Sequence, residues 1–180
     1  NGGTSWTSVW KQNNLWLYDL KIVSSQPTIM LAATNQGFYR STDAGASWTR
    51  SMDRSCCDLE TQPGNANVVF TLRANSAGTI TELWKSTDGG VNFSLKSSGW
   101  LNTVGSKGAG RLTVTPANAQ RVYAVLLGDS SRPYILRSDD AGESWRVTAR
   151  GSSDSLGMTN GQGFYDLGIA ASHTNADVLL

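Results

Sequence analysis

Two cysteines and one histidine are the only thiol and imidazole groups in 180 residues. Cys56 and Cys57 are adjacent, and a disulfide between sequence neighbours closes a strained ring, so they are expected to be free or to pair with a partner outside this chain. Their spacing is wrong for a zinc pair and His173 is remote, so neither a metal site nor a cofactor is expected. No apolar run approaches the ~18 residues that cross a bilayer, which excludes a helical membrane span. Fifteen basic residues against fourteen acidic ones give a net charge of +1, scattered along the chain. That pattern leaves no electrostatic footprint for nucleic acid or an anionic membrane. The opening Asn1-Gly2-Gly3-Thr4 is neither an initiator methionine nor a signal peptide, so the first residue is not expected to be the natural one.

What is present is a repeat. Ser41-Thr42-Asp43-Ala44-Gly45-Ala46-Ser47-Trp48, Ser86-Thr87-Asp88-Gly89-Gly90-Val91-Asn92-Phe93 and Ser138-Asp139-Asp140-Ala141-Gly142-Glu143-Ser144-Trp145 share the pattern S-x-D-x-G-x-x-W/F. Asn1 to Trp6 reads as the tail of a fourth copy, with Asn1 in the Asp position. A second motif interleaves with the first: Pro63-Gly64-Asn65-Ala66-Asn67, Pro116-Ala117-Asn118-Ala119-Gln120 and His173-Thr174-Asn175-Ala176-Asp177, each followed by an apolar or β-branched run. Successive Asp positions lie 42, 45 and 52 residues apart. That is the size of a four-stranded propeller blade.

Alternation and turn punctuation place strands at about 16–23, 28–33, 38–41 and 47–51 in one blade, and at about 57–61, 68–73, 80–85 and 92–96 in the next. A third blade follows at about 111–115, 121–127, 134–137 and 144–148. No window of helical periodicity survives between the turns. The expected class is all-β: a partial β-propeller of four-stranded antiparallel blades, about three and a half of a larger ring. The fragment divides into a blade end at 1–10, blades at about 15–51, 56–97 and 109–149, and a partial blade at 165–180. Because it begins inside a motif and ends inside a strand, its open edges are expected to be covered by the remaining blades or by another polypeptide.

The repeated aspartates read as turn staples. An Asp carboxylate accepts hydrogen bonds from backbone N–H groups a few residues on. The Gly two positions later supplies the positive φ of the hairpin, and the Trp or Phe five positions after the Asp buries an apolar face against the blade. The structural set is Ser41, Asp43, Gly45 and Trp48; Ser86, Asp88, Gly90 and Phe93; and Ser138, Asp140, Gly142 and Trp145.

These motifs resemble the Asp-box, or BNR, propellers: sialidases, xyloglucanase-type endoglucanases and the sortilin-type VPS10 domains. The resemblance covers essentially the whole chain and is specific for the repeat, not for an activity. The phrase Gly161-Gln162-Gly163-Phe164-Tyr165-Asp166-Leu167-Gly168-Ile169-Ala170, followed by Thr174-Asn175-Ala176-Asp177, is similar to sequences in large exported bacterial proteins with sortilin-like repeats and a type IX secretion domain. It implies a bacterial secreted or cell-surface location. The sialidase Arg-Ile-Pro segment is not reproduced by Arg132-Pro133, and no stretch matches the surroundings of the two xyloglucanase aspartates. The resemblance thus implies a binding or scaffold module for glycan or protein ligands, or alternatively part of a glycoside hydrolase whose acids lie largely outside the fragment.

In such a ring the loops between blades, and those joining second to third strands, gather on one face. Trp100, in a Gly- and Ser-rich loop, is the candidate for an exposed aromatic platform, with packing between blades as the alternative. Tyr18 with Asp19 and Tyr165 with Asp166 share a phrase in two first strands and could meet a sugar hydroxyl or, with a second acid, serve hydrolysis. A packed Tyr and a strand-entry Asp is the simpler alternative. Arg73, Arg132 and Asp129 are candidates by position alone. Glu60 and Glu82 lie within strands and Glu143 within a motif, so no tuned acid pair is expected.

Overall fold

The computed structural model describes residues 3–101, 110–128, 133–150 and 167–180. Twelve strands form three four-stranded antiparallel sheets, and these are the expected blades. The first runs β1 (Leu17–Ile22), β2 (Met30–Thr34), β3 (Gly37–Ser41) and β4 (Thr49–Asp53); the second β5 (Cys56–Gln62), β6 (Asn65–Ala74), β7 (Thr81–Ser86) and β8 (Ser94–Lys96). The third runs β9 (Gly110–Val114), β10 (Val122–Leu127), β11 (Pro133–Ser138) and β12 (Arg146–Arg150). Within each sheet, neighbours in sequence are neighbours in space. Of the partial fourth blade, Ala170 and Leu180 exchange backbone hydrogen bonds at 2.9 and 2.8 Å, and Ser172 N–H donates to Val178.

Strand ends fall within a few residues of those expected: β6 starts three residues early, and each outermost strand starts two residues late. The hairpin residues Ser47-Trp48, Asn92-Phe93 and Ser144-Trp145 stay in the turn, so β4, β8 and β12 begin only after the aromatic. The physical reason is visible in the turn itself. Ser41 Oγ donates to Asp43 at 2.7 Å and accepts the Gly45 N–H at 2.8 Å, while Asp43 accepts the Ser47 N–H at 2.8 Å and its hydroxyl at 2.6 Å. Ser86, Asp88, Gly90 and Asn92 repeat this network, as do Ser138, Asp140, Gly142 and Ser144. These donors hold the carboxyls of Asp43 and Asp88 down at about 2, and they do so for Asp140 against the opposing effect of burial. The residues closing the turn are therefore already committed and cannot join the ladder.

The two interleaved motifs dock on each other. Gly89 N–H donates to Asn67 O and Ala141 N–H to Gln120 O, each at 2.8 Å, and in the first blade Ala44 N–H donates to Thr28 O at the same distance. Each hairpin is thereby fastened to the entry of its own blade's second strand.

Cores lie between sheets rather than within them, since a sheet must bury a face against another element. Leu31, Phe38, Leu59 and Val69 fill the seam between the first and second blades. Phe70, Leu83, Leu112 and Leu136 belong to the core of the second and third. On the first blade, Trp16 and, along β1, Tyr18, Leu20 and Ile22 stand exposed.

Candidate functional site

The pairing registers align the blades residue by residue. Asp19 pairs with Ala33, Asp58 with Leu72 and Arg111 with Val125, and these partners in turn face Phe38, Leu83 and Ile135, each three residues before the hairpin serine. Asp19, Asp58 and Arg111 therefore occupy one register position on the first strands β1, β5 and β9. Lys21, Glu60 and Thr113 occupy the next position on the same face. First strands form one open edge of each sheet, so the chain sets ionisable side chains along that edge in two consecutive blades and an arginine in the third.

Asp58 is the most perturbed of these groups. It is buried, and its Oδ2 accepts the Leu112 backbone N–H of the next blade at 2.6 Å. Loss of hydration pushes its carboxyl up to about 7; the Leu112 hydrogen bond and Arg111 pull the other way, while Asp19 and Glu60 add to the rise. Glu60 is raised by burial too, against the opposing pull of Lys21, whose Nζ lies 3.0 Å from its Oε1. Burial lowers the Lys21 ammonium, but Glu60 outweighs it and the net shift is upward. Lys21 also lies 3.9 Å from Asp19. Arg111 donates to the carbonyls of Gly110 and Cys57 at 2.9 and 3.4 Å. The edge thus holds one carboxyl that gains or loses its proton near neutrality, the property required of a general acid or base.

Tyr18 and Asp19 do sit on this edge. Tyr18 is 46% exposed, and Asp19 Oδ1 accepts the Leu20 N–H at 2.8 Å. Tyr165, Asp166, Asp129 and Arg132 lie outside the described residues. Arg73 is buried at the end of β6: it reaches Asp53 at 3.2 Å and Glu82 at 3.5 Å, and its guanidinium lies 4.1 Å from the Trp84 ring centroid. It pairs with Cys56 on β5 and, through Asp53, closes the seam to the preceding blade.

Trp100 is not the exposed platform expected of its loop. It is 6% exposed, its Nε1 donates to Thr81 O at 2.8 Å, and its ring meets Trp145 edge-on at 5.0 Å. The alternative holds: it packs between blades. Trp10 does the equivalent at the first hairpin, stacked on Trp48 at 4.5 Å and 16°. A large apolar ring beside a hairpin tryptophan gains more from that contact than from water, and the Gly- and Ser-rich surroundings, which suggested exposure, instead allow the chain to come close. A Cβ at Gly99 would collide with the Trp145 carbonyl.

Asp58, Lys21 and Arg111 were missed in the sequence, and Glu60 was set aside as a strand residue. Their signal was available, because Asp-x-Lys in β1 and Asp-x-Glu in β5 share one blade position. It could be read only with the register of the first strands in hand. Among the described residues no cluster of His, Cys, Asp and Glu is arranged to hold a metal ion, and no helix is long and apolar enough to cross a membrane.

Sheets of this topology, stacked through inter-sheet cores, define a segment of a β-propeller. No protein-family model matches the chain. It is similar to a xyloglucanase from Paenibacillus sp., with 28% identity over 151 residues, covering 80% of this chain and 14% of that protein. Among solved structures, an ancestral GH74 enzyme superimposes with a TM-score of 0.66 at 17% identity, over 91% of this chain and 21% of the other. The GH74 xyloglucanase from Xanthomonas campestris gives 0.62 at 16% over 91% and 26%, and YCF48 from Cyanidioschyzon merolae 0.55 at 16% over 82% and 41%. These likenesses show the fold, and the chain spans a small part of each relative's length.

Proposed function

We propose that this chain is a segment of a secreted bacterial Asp-box propeller that acts on or binds plant-type β-glucans, of the kind that xyloglucanases handle. The observation that carries the reading is the 28% identity to a xyloglucanase over 80% of the chain, and the superposition on GH74 propellers over 91% supplies the fold that this reading requires. The first-strand edge offers Tyr18 and Asp19 to glycan, and Asp58, buried at the same register position of the next blade, is the acid with the right titration range.

A binding module without hydrolysis is the second reading. It is favoured by the engagement of the edge acids, Glu60 by Lys21 and Asp58 by the Leu112 N–H, which suits fixed recognition better than proton transfer. Sortilin-like ligand capture and export by a type IX route belong to that reading.

Incubating the intact protein with xyloglucan and measuring both reducing ends and retention on the polymer separates the two. Release of reducing ends that falls in Asp58→Asn supports a hydrolase edge. Retention without release supports the binding module, and neither response removes β-glucan as the ligand.

A further inference from the structure

The three hairpins are built alike, but the seams they close are not. Where the second blade meets the third, Glu143 bridges Lys85 and Lys96, with a carboxylate oxygen 2.7 Å from each ammonium. Hydrogen bonds from these lysines hold the Glu143 carboxyl below its ordinary range. Lys85 immediately precedes the hairpin serine Ser86, and Glu143 lies five residues after Ser138. By the same count, the seam between the first and second blades has Arg40 in the place of Lys85 and Val91 in the place of Glu143.

That seam keeps the cation and lacks the carboxylate. Arg40 Nε donates to Gly89 O at 3.0 Å, and among the described residues no carboxylate is ion-paired with it. Beside it lies an open depression of about 340 Å³ lined by Arg40 and Arg50, the hydroxyl side chains of Thr42, Ser47, Thr49 and Ser51, and Val91. No acid lines it. Asp43, the nearest in sequence, has both oxygens engaged by Ser41 and Ser47 of its own turn. The volume falls in the ~300–1,000 Å³ range of ligand pockets.

We propose that this seam binds the carboxylate of an acidic sugar, a uronate unit of a polysaccharide, which takes at Arg40 the place that Glu143 holds at Lys85. A guanidinium pairs with a carboxylate through two parallel N–H donors. The four surrounding hydroxyl side chains match a ligand that carries one charge and several hydroxyls per unit. Ser47 already donates to Asp43 and can only accept, while Thr42, Thr49 and Ser51 are open to a polyhydroxyl ligand; an acidic peptide side chain, borne on an apolar stem, would engage none of them. The site uses the outer strand β4 and the hairpins, so it stands independently of any role for the first-strand edge.

The test is calorimetric titration of the intact protein with trigalacturonate, neutral maltotriose and triglutamate. Trigalacturonate is expected to bind, with maltotriose and triglutamate at least ~10-fold weaker, as expected for a charge-assisted pair joined by hydroxyl contacts. Val91→Glu supplies the carboxylate from within, as Glu143 does, and is expected to weaken trigalacturonate at least ~10-fold while the melting temperature holds or rises. Arg40→Gln, which keeps a polar side chain in the seam, is expected to lose the same affinity and decides the question if Val91→Glu fails to fold. Unchanged affinity in a folded Val91→Glu, equal binding of triglutamate, or no binding of trigalacturonate overturns the proposal.

Discussion

Cys56 and Cys57 share a peptide bond yet belong to different cores: Cys56 packs into the seam between the first and second blades, Cys57 into that between the second and third. The register of β5 shifts between Cys56 and Asp58, but the two side chains still leave the strand on opposite faces, as successive strand residues do. Both thiols are free, and burial pushes each up to about 12.

From this follows a reactivity prediction. A thiol that ionises near 12 has almost no thiolate at pH 8, and the thiolate is the nucleophile. In the folded protein neither cysteine is expected to react with iodoacetamide over minutes at pH 8, whereas both react in denaturant. Rapid modification of either one, read by mass spectrometry, would contradict the packing described.

The hairpins carry two consecutive left-handed residues, and the chain fills the first with Ala44, Gly89 and Ala141, at φ of 56°, 73° and 53°. Alanine there stores strain of about 1–2 kcal/mol. Ala44→Gly and Ala141→Gly are therefore expected to be neutral or stabilising by up to ~1 kcal/mol in thermal melts, part of the gain being lost to unfolded-state entropy. The opposite change at the second position, Gly90→Ala or Gly142→Ala, should destabilise. A Cβ would meet Phe38 at 3.1 Å or Phe70 at 2.8 Å, at a φ of +87° or +83°.

Asp58 predicts a pH dependence of the unusual sign for a carboxyl. Its folded value is raised to about 7, well above the ordinary 3.8, so between those limits the folded chain holds a proton that the unfolded chain has lost. Its contribution to stability is fully present below about pH 4, falls as the pH rises through 7, and is flat beyond. Asp58→Asn keeps an oxygen for the Leu112 N–H and should abolish that slope, melting at or above the parent temperature at pH 8. A parent whose stability does not change between pH 5 and 8 relative to Asp58→Asn would refute this.

Trp100→Ala should behave as a core deletion. Removing a buried tryptophan costs about 3–5 kcal/mol, and the indole hydrogen bond to the Thr81 carbonyl goes with it. A loss under 1 kcal/mol by chemical denaturation would return Trp100 to the surface.

The blade architecture was legible in the sequence because it rests on local chemistry. A serine, an aspartate, a left-handed glycine and an aromatic at fixed offsets close one hairpin with their own atoms, and Asp43, Asp88 and Asp140 each accept a backbone N–H of their own turn without help from other blades. The repeat distance then gave the blade, and alternation gave the strands to within a few residues. Side-chain environment was not legible, because it depends on which neighbours the stacked sheets bring together. Trp100 stood among glycines and serines and looked exposed until Trp145 of the following blade closed over it. Asp58 looked like an ordinary strand acid until the Leu112 N–H and the surrounding burial set its titration. Local hydrogen bonding is encoded within a few residues, whereas the Trp100–Trp145 and Asp58–Leu112 contacts that set burial and proton affinity join different blades, and only the packed blades decide them.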